Sequence, residues 1–415
     1  MNKFREFVGQ IFREKVFCGL DIGTQRIKAS LCRVQDADNF QLLAVCETET
    51  RGMSGASVND IGELSGAVTT VIEGVSRRAK LKFRDIYLGI GGDLVEVRHS
   101  RAVVPLAERG NKVIVPSDVK NARYQARLLG VRLDEDVIDD LVRQFRVDDI
   151  NIALNPVGLY GRKLEVESLL VVASLPRLRN VHKAVKQAGY EVSDVFFNGA
   201  ALSEAVMDAA RRNEGCAVAN MGASRTELLM FKEGLLKHFA VIPFGGDTLT
   251  ARISREFDIP VALAEDLKKS YGAAGEAAEK AGGEVLLKRD QGFVPVSRAK
   301  ICKAVGEELS VFTEAFRKSI AEAGLEGKLA GGVVMAGGCS LMPGLMETVE
   351  RSLGAGVTMA RHIPGLNNAS LYAVSTSIAE MGYKGSLRYV FDKRQPKDWW
   401  DAWKLKAEEL CNEYF

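Results

Sequence analysis

Apolar positions along the chain fall into a repeated plan. Val16–Val34, VFCGLDIGTQRIKASLCRV, reads as an apolar strand, a glycine-containing turn and a second strand, and Cys216–Gly234, CAVANMGASRTELLMFKEG, reads the same way. Helical periodicity follows each, over Gly62–Ala79 after the first and Thr248–Phe257 after the second. A duplicated strand-turn-strand unit followed by helices predicts an α/β protein with two lobes of similar build and a cleft between them. Between the two units, Tyr87–Val172 opens with the strand IYLGIGG and holds a polar helical run near Ser117–Leu129, which predicts a small inserted α+β subdomain. Gly331–Leu345, GGVVMAGGCSLMPGL, predicts a buried strand, a diglycine turn and a helix start. After Met381 the pattern breaks, and Lys384–Pro396 reads as a polar linker. The expected organisation is an extension at 1–15, a first lobe from 16–86 and 173–206 with 366–383, an insertion at 87–172, a second lobe at 207–365, a linker at 384–396 and a final helix at 397–415.

Composition narrows the class. At 415 residues and 47% hydrophobic content, the chain is long and apolar enough to build more than one core. Lys plus Arg (56) nearly balances Asp plus Glu (54), so no bulk attraction to nucleic acid is expected and any electrostatic partner meets a local patch. The cysteines are scattered without a CxxC pair and the histidines lie far apart, which predicts reduced thiols, a cytoplasmic setting and no zinc site. No apolar run reaches the roughly 18 residues of a spanning helix, and the charged start MNKFREFVGQIFREKV lacks a signal-peptide core.

The turns carry the candidate chemistry. In DIGT, Asp21 stands at a strand end and Gly23 where the chain turns tightly. Backbone N–H groups at Gly23, Thr24 and Gln25 then face a phosphate, Asp21 holds the water shell of Mg²⁺, and Lys28 on the next strand joins the set; the alternative is an ordinary hairpin turn. NMGASRT supplies a second phosphate turn through Gly222 and Ala223. FGGDTLT puts Gly245 and Gly246 ahead of a helix N-terminus, with Asp247 as its cap. AEDLKKSYG spaces Glu265, Lys268 and Lys269 along one helical face, suited either to ribose and adenine or to solvent. Gly337 and Gly338 of AGGCS form a flat platform for a purine or a plain strand-to-helix turn.

This ordered set resembles the phosphate and adenosine motifs of the actin-like ATPases, and among them the chain most resembles the FtsA family. RGMSGASVNDI, LNPVGLYGRKLEVE, IPFGGDTLTARI and VVMAGGCSLMPGL are each close to stretches at the same relative positions in that family. The resemblance implies a two-lobed actin-like fold with a 1C (SHS2-like) subdomain at the insertion. It also implies ATP and Mg²⁺ as cofactors, self-association into filaments, recruitment of other division proteins through 1C, and binding of the FtsZ C-terminal tail. The tail site would fall near Phe293–Leu309, where Arg298, Lys300 and Lys303 meet an acidic peptide or solvate a helix. The chain departs from the pattern at Asn220, where an acid is usual. An amide does not balance a magnesium charge, so hydrolysis is expected to be weak or absent. Arg225, in the same turn, either offsets a phosphate charge or lies on the surface.

The chain's 3 tryptophans, Trp399, Trp400 and Trp403, sit together near the end. With Leu410 and Tyr414 they fall within about 120° of a helical wheel, which predicts an amphipathic helix lying in a membrane surface, or else docking on protein. At the start, Phe4, Phe7, Val8, Ile11 and Phe12 gather on one helical face, as a second anchor or as packing against the first lobe. The expected function is an ATP-binding, self-assembling tether of FtsZ filaments at the cytoplasmic face of the cell membrane. Two rivals are a PilM-like pilus or secretion scaffold, which normally lacks the terminal helix, and a metabolite kinase, which needs a catalytic carboxylate beside a substrate pocket.

Overall fold

The computed structural model describes residues 15–36, 39–107, 110–148, 151–153, 155–289, 292–360, 366 and 368–392. The N-terminal extension as far as residue 14 and the terminal segment with Trp399, Trp400, Trp403, Leu410 and Tyr414 lie outside these.

The chain begins with an antiparallel meander of β1 (Lys15–Ile22), β2 (Arg26–Asp36) and β3 (Asn39–Glu49). The hairpin β4 (Met53–Ser54) and β5 (Ser57–Val58), helix α1 (Ile61–Ala79) and β6 (Asp85–Ile90) follow. The insertion comprises β7 (Val95–Pro105), β8 (Lys112–Val113), α2 (Pro116–Gly130), β9 (Glu135–Val147), β10 (Asn151–Ala153), β11 (Tyr160–Gly161) and β12 (Lys163–Ser174). Then α3 (Leu175–Gln187), β13 (Glu191–Phe197), α4 (Asn198–Val206) and α5 (Ala209–Glu214) lead to a second meander, β14 (Cys216–Met221), β15 (Thr226–Lys232) and β16 (Leu235–Ile242). Helices α6 (Gly246–Phe257), α7 (Val261–Tyr271) and α8 (Gly275–Glu279) precede the hairpin β17 (Glu284–Arg289) and β18 (Gly292–Ser297). Last come α9 (Arg298–Glu322), β19 (Val333–Ala336), α10 (Leu345–Leu353), β20 (Val357–Met359) and α11 (Ala369–Asp392).

The two large sheets have one topology. The first is ordered β13-β6-β1-β2-β3 and the second β16-β15-β14-β19-β20, so each joins an antiparallel meander to two parallel strands. The insertion has its own sheet, β10-β9-β12-β7, covered by α2. Strand β6 pairs parallel with β1 and therefore belongs to the first lobe. The sequence reading started the insertion at this strand; its Ile86, Leu88 and Ile90 are fully buried in the first lobe, and the insertion opens after it.

Packing follows the apolar spacing. In α1, Leu64, Val68, Val71, Ile72 and Val75 recur at helical intervals and are buried against β1 and β2, while the Asp60 side chain caps the helix by accepting the Glu63 N–H at 3.0 Å. On the other face of the sheet α11 lies directly on β1. A Cβ at Gly19 would stand 2.0 Å from the Ser375 carbonyl oxygen, so only glycine admits this approach. A further core, with Val171, Phe197, Val218, Val334 and Ile378, joins the insertion, both sheets and α11. Helix α11 continues to Asp392, well into the stretch read from sequence as a linker.

Gly19→Ala is expected to cost about 1–3 kcal/mol, because α11 must move off β1. Gly66→Ala, on the exposed face of α1 with open space around its Cβ, is expected to gain up to about 1 kcal/mol. Urea unfolding midpoints that fall for the first and rise for the second check this packing.

Candidate functional site

The two hairpin turns face each other across the space between the lobes. In each, the first glycine closes its own turn: Gly23 N–H donates to the Arg26 carbonyl at 3.1 Å and Gly222 N–H to the Arg225 carbonyl at 3.0 Å. Gly23 and Gly222 line the cleft as expected, but their own N–H groups close the turns, so the backbone that faces a ligand is at Thr24, Gln25, Ala223 and Ser224. The turns touch through Thr24 Oγ1 and Ser224 Oγ, 3.2 Å apart, and Gln25 Nε2 donates to Asp247 Oδ1. Between them opens a cleft of about 480 Å³.

Gly245 and Gly246 act otherwise than expected. The first N–H groups of α6, at Gly246 and Asp247, donate to the carbonyls of Gly222 and Ala223 at 3.1 and 2.8 Å. A Cβ at Gly245 would stand 2.3 Å from the Ala223 oxygen. The helix N-terminus is thus occupied in bracing the second turn, and Gly245 does not line the cleft.

Beyond the turns, Glu265, Lys268 and Lys269 of α7 face the cleft and are not a solvated stripe. Lys268 is largely buried and donates to Glu265 Oε2 at 2.6 Å, to Thr250 Oγ1 at 2.9 Å and to the Gly246 carbonyl at 2.9 Å. Burial raises the Glu265 carboxyl, but the hydrogen bonds from Lys268 and Thr250 outweigh it and hold the group below its ordinary range. Lys269, more exposed, reaches Glu265 Oε1 at 3.1 Å. Opposite α7, Gly337 sits at φ +91° with Met221 O 2.3 Å from where its Cβ would be, so this turn requires glycine. Gly338, Cys339, Met342 and Pro343 complete that wall, and Leu371 and Val374 of α11 close the floor.

Asp21 is buried at the end of β1, accepting from Asn198 Nδ2 at 3.0 Å. Burial raises its carboxyl above the ordinary range against the pull of Lys28, its cross-strand partner. The second lobe repeats the register with other residues. Asn220 on β14 pairs with Glu227 on β15, and the two side chains share a face of the sheet. Glu227 is buried, accepts the Gly92 N–H at 2.6 Å and Asn220 Nδ2 at 3.3 Å, and is also raised chiefly by burial. A carboxylate therefore does stand beside the second turn, on β15, across the ladder from Asn220 where the motif places an acid. Its signal was the same strand spacing that sets Lys28 opposite Asp21. Arg225 lines the cleft partly exposed, with its guanidinium paired to Asp93.

Two family models match the chain, "Cell division protein FtsA" over residues 217–379 and "SHS2 domain inserted in FTSA" over residues 92–172. The chain belongs to the FtsA family. Cell division protein FtsA of Bacillus subtilis is 28% identical over 352 residues, spanning 83% of this chain and 78% of that one. Among solved structures, a PilM–PilN type IV pilus biogenesis complex aligns with a TM-score of 0.66 at 16% identity, over 88% of this chain and 98% of that one. MreB 5 of Spiroplasma citri bound to AMPPNP aligns with a TM-score of 0.52 at 12% identity, over 91% and 98%. These likenesses concern the fold, which is the two-lobed actin-like one with an SHS2 insertion. In this FtsA-family chain Arg298, Lys300 and Lys303 open α9 and none lines the cleft; the two lysines are exposed and Arg298 is partly buried.

Two raised carboxylates across the cleft from each other suit a hydrated divalent cation, and protons compete with it. Glu227→Gln is expected to weaken Mg²⁺-dependent ATP binding about tenfold or more. Affinity for Mg²⁺-ATP should decline on acidification while the pH is still above the ordinary carboxylate range, because burial raises both groups, and this decline should flatten in Glu227→Gln. Titration calorimetry at a series of pH values checks both.

Proposed function

We propose that this FtsA-family chain binds ATP with Mg²⁺ in the interlobe cleft, self-assembles into filaments, and tethers FtsZ filaments to the cytoplasmic face of the cell membrane at the division site. The observation that carries the nucleotide reading is the pair of facing turns with Asp21 and Glu227 buried beside them and α7 and the Gly337 turn beyond. The donors fit the group. Thr24, Gln25, Ala223 and Ser224 meet phosphate, Glu265, Lys268 and Lys269 border the ribose and base, and Gly337 and Gly338 lie against the purine. Asp21 and Glu227, both buried at the cleft, are the carboxylates that would balance the charge of a hydrated Mg²⁺ carried in with the nucleotide. When bound, the ion neutralises phosphate charge. Asn220 beside Glu227 keeps turnover slow, since an amide hydrogen bond ties down the carboxylate that would otherwise be free to orient water.

Self-association and recruitment of division proteins fall to the inserted subdomain. Tyr124, Leu128, Leu129 and Leu133, on and just beyond α2, are exposed, and so are Leu159 and Tyr160 near β11. The lysines Lys300 and Lys303, with Arg298, are offered to an acidic FtsZ tail. Among the described residues no helix is long and apolar enough to cross a membrane. The aromatic segment with Trp399, Trp400, Trp403, Leu410 and Tyr414, whose apolar residues share one face of a helical wheel, is assigned to lie in the lipid surface as the anchor, and filament formation strengthens its hold through multivalency.

The test is co-sedimentation with liposomes of the full chain and of a version ending at Gln395, with ATP and an FtsZ tail peptide. The full chain is expected to pellet and carry the peptide down, with lipid binding lost on truncation. If neither form pellets, the terminal segment docks on protein, and a pilus-type scaffold is the better description.

A further inference from the structure

Arg225 connects two parts of the molecule that sequence leaves far apart. It stands at the end of the second phosphate turn, and its guanidinium pairs with Asp93 in the short turn Gly92–Leu94, which runs from β6 into β7, the first strand of the insertion. Beside this pair, Glu227 accepts the Gly92 N–H at 2.6 Å. The turn has little room: a Cβ at Gly91 would stand 2.9 Å from Glu227 Oε1, and Gly92 is held at φ +59°. The base of the inserted subdomain is thus clamped twice by the second lobe, and both clamping residues line the cleft.

The clamp is unequal in its two halves. Glu227 is buried, whereas the Arg225 side chain is 34% exposed and its Nε, itself buried, has no hydrogen-bond partner among the described residues. Arg225 therefore carries a donor beyond those used on Asp93. A guanidinium offers five donors in a fixed fork that fits phosphate as well as carboxylate, and a terminal phosphate bears more charge than the single carboxylate of Asp93.

We propose that Arg225 senses the terminal phosphate of a bound nucleotide, leaving Asp93 for that phosphate and so releasing the Gly91–Leu94 turn at the base of the inserted subdomain. The inference rests on the nucleotide reading above. ADP, lacking that phosphate, leaves the pair in place, and the insertion then reports which nucleotide is bound. Linkage makes the effect reciprocal: if ATP loosens Asp93 from Arg225, removing the Asp93 charge must tighten ATP.

The experiment measures two quantities on the full chain: affinity for fluorescent ATP and ADP analogues, and hydrogen–deuterium exchange over residues 91–97 with each nucleotide. In the unaltered protein, ATP and not ADP is expected to raise exchange in this segment. Asp93→Asn is expected to bind ATP about fivefold or more tightly with ADP affinity unchanged, and to exchange rapidly in every condition. Arg225→Gln is expected to lose preference for ATP over ADP and also to exchange rapidly throughout. If ATP binds the unaltered protein but leaves exchange at 91–97 as ADP does, the pair is a permanent staple and the proposal fails while the nucleotide reading stands. If neither nucleotide binds, both fail together. The unaltered protein alone decides this, even if a variant does not fold.

Discussion

Each lobe ends its first strand in a hairpin whose leading glycine donates its N–H back to the arginine carbonyl that begins the return, Gly23 to Arg26 and Gly222 to Arg225. That bond sets the register of the strands behind it, and the register decides which side chains stand at the mouth of the cleft. In the first lobe it brings Lys28 opposite Asp21; in the second it brings Glu227 opposite Asn220. Were either turn to slip by one residue, the buried carboxylates would pass to the opposite faces of their sheets and the cleft would lose its charge. The later elements are fitted to these turns. The N-terminus of α6 spends its first donors on Gly222 and Ala223, Lys268 locks α7 to the Gly246 carbonyl, and Gly337 is compressed against Met221.

The repeat of the two lobes was legible because alternation of apolar residues and a glycine turn are local properties, and both recur. The same locality explains the misreadings. IYLGIGG resembles any strand, and only its parallel pairing with β1 assigns it to the first lobe. Gly245 and Gly246 look like an open anion site because nothing nearby in sequence shows that Gly222 and Ala223 supply the carbonyls that fill it. Asn220 looked like a lost acid because the motif is read along one strand, while Glu227 restores the charge across the ladder. The stretch from Lys384 looks like linker for its polarity, yet it continues a helix whose earlier turns pack closely on Gly19 and Gly89 and whose own Gly382 lies against the Tyr87 ring.

The cleft is more than a pocket between rigid halves. Helix α11 contributes Leu371 and Val374 to its floor and packs on the strand that bears Asp21 before running on to Asp392. The base of the insertion meets the other wall through Gly92 and Asp93. A ligand between the turns therefore touches the elements that lead to the inserted subdomain and to the C-terminal segment, the two regions to which assembly and membrane attachment are assigned above. In a family of division proteins, such a layout lets one binding event bear on both.

The central claim is that adenine nucleotide occupies this cleft with its base between α7 and the Gly337 turn. Photo-cross-linking with 8-azido-ATP, followed by mapping of the modified peptide, tests it most directly. Label is predicted within 261–272 or 336–343, competed away by ATP and reduced by Glu227→Gln. Label elsewhere, or label that excess ATP does not displace, would contradict it.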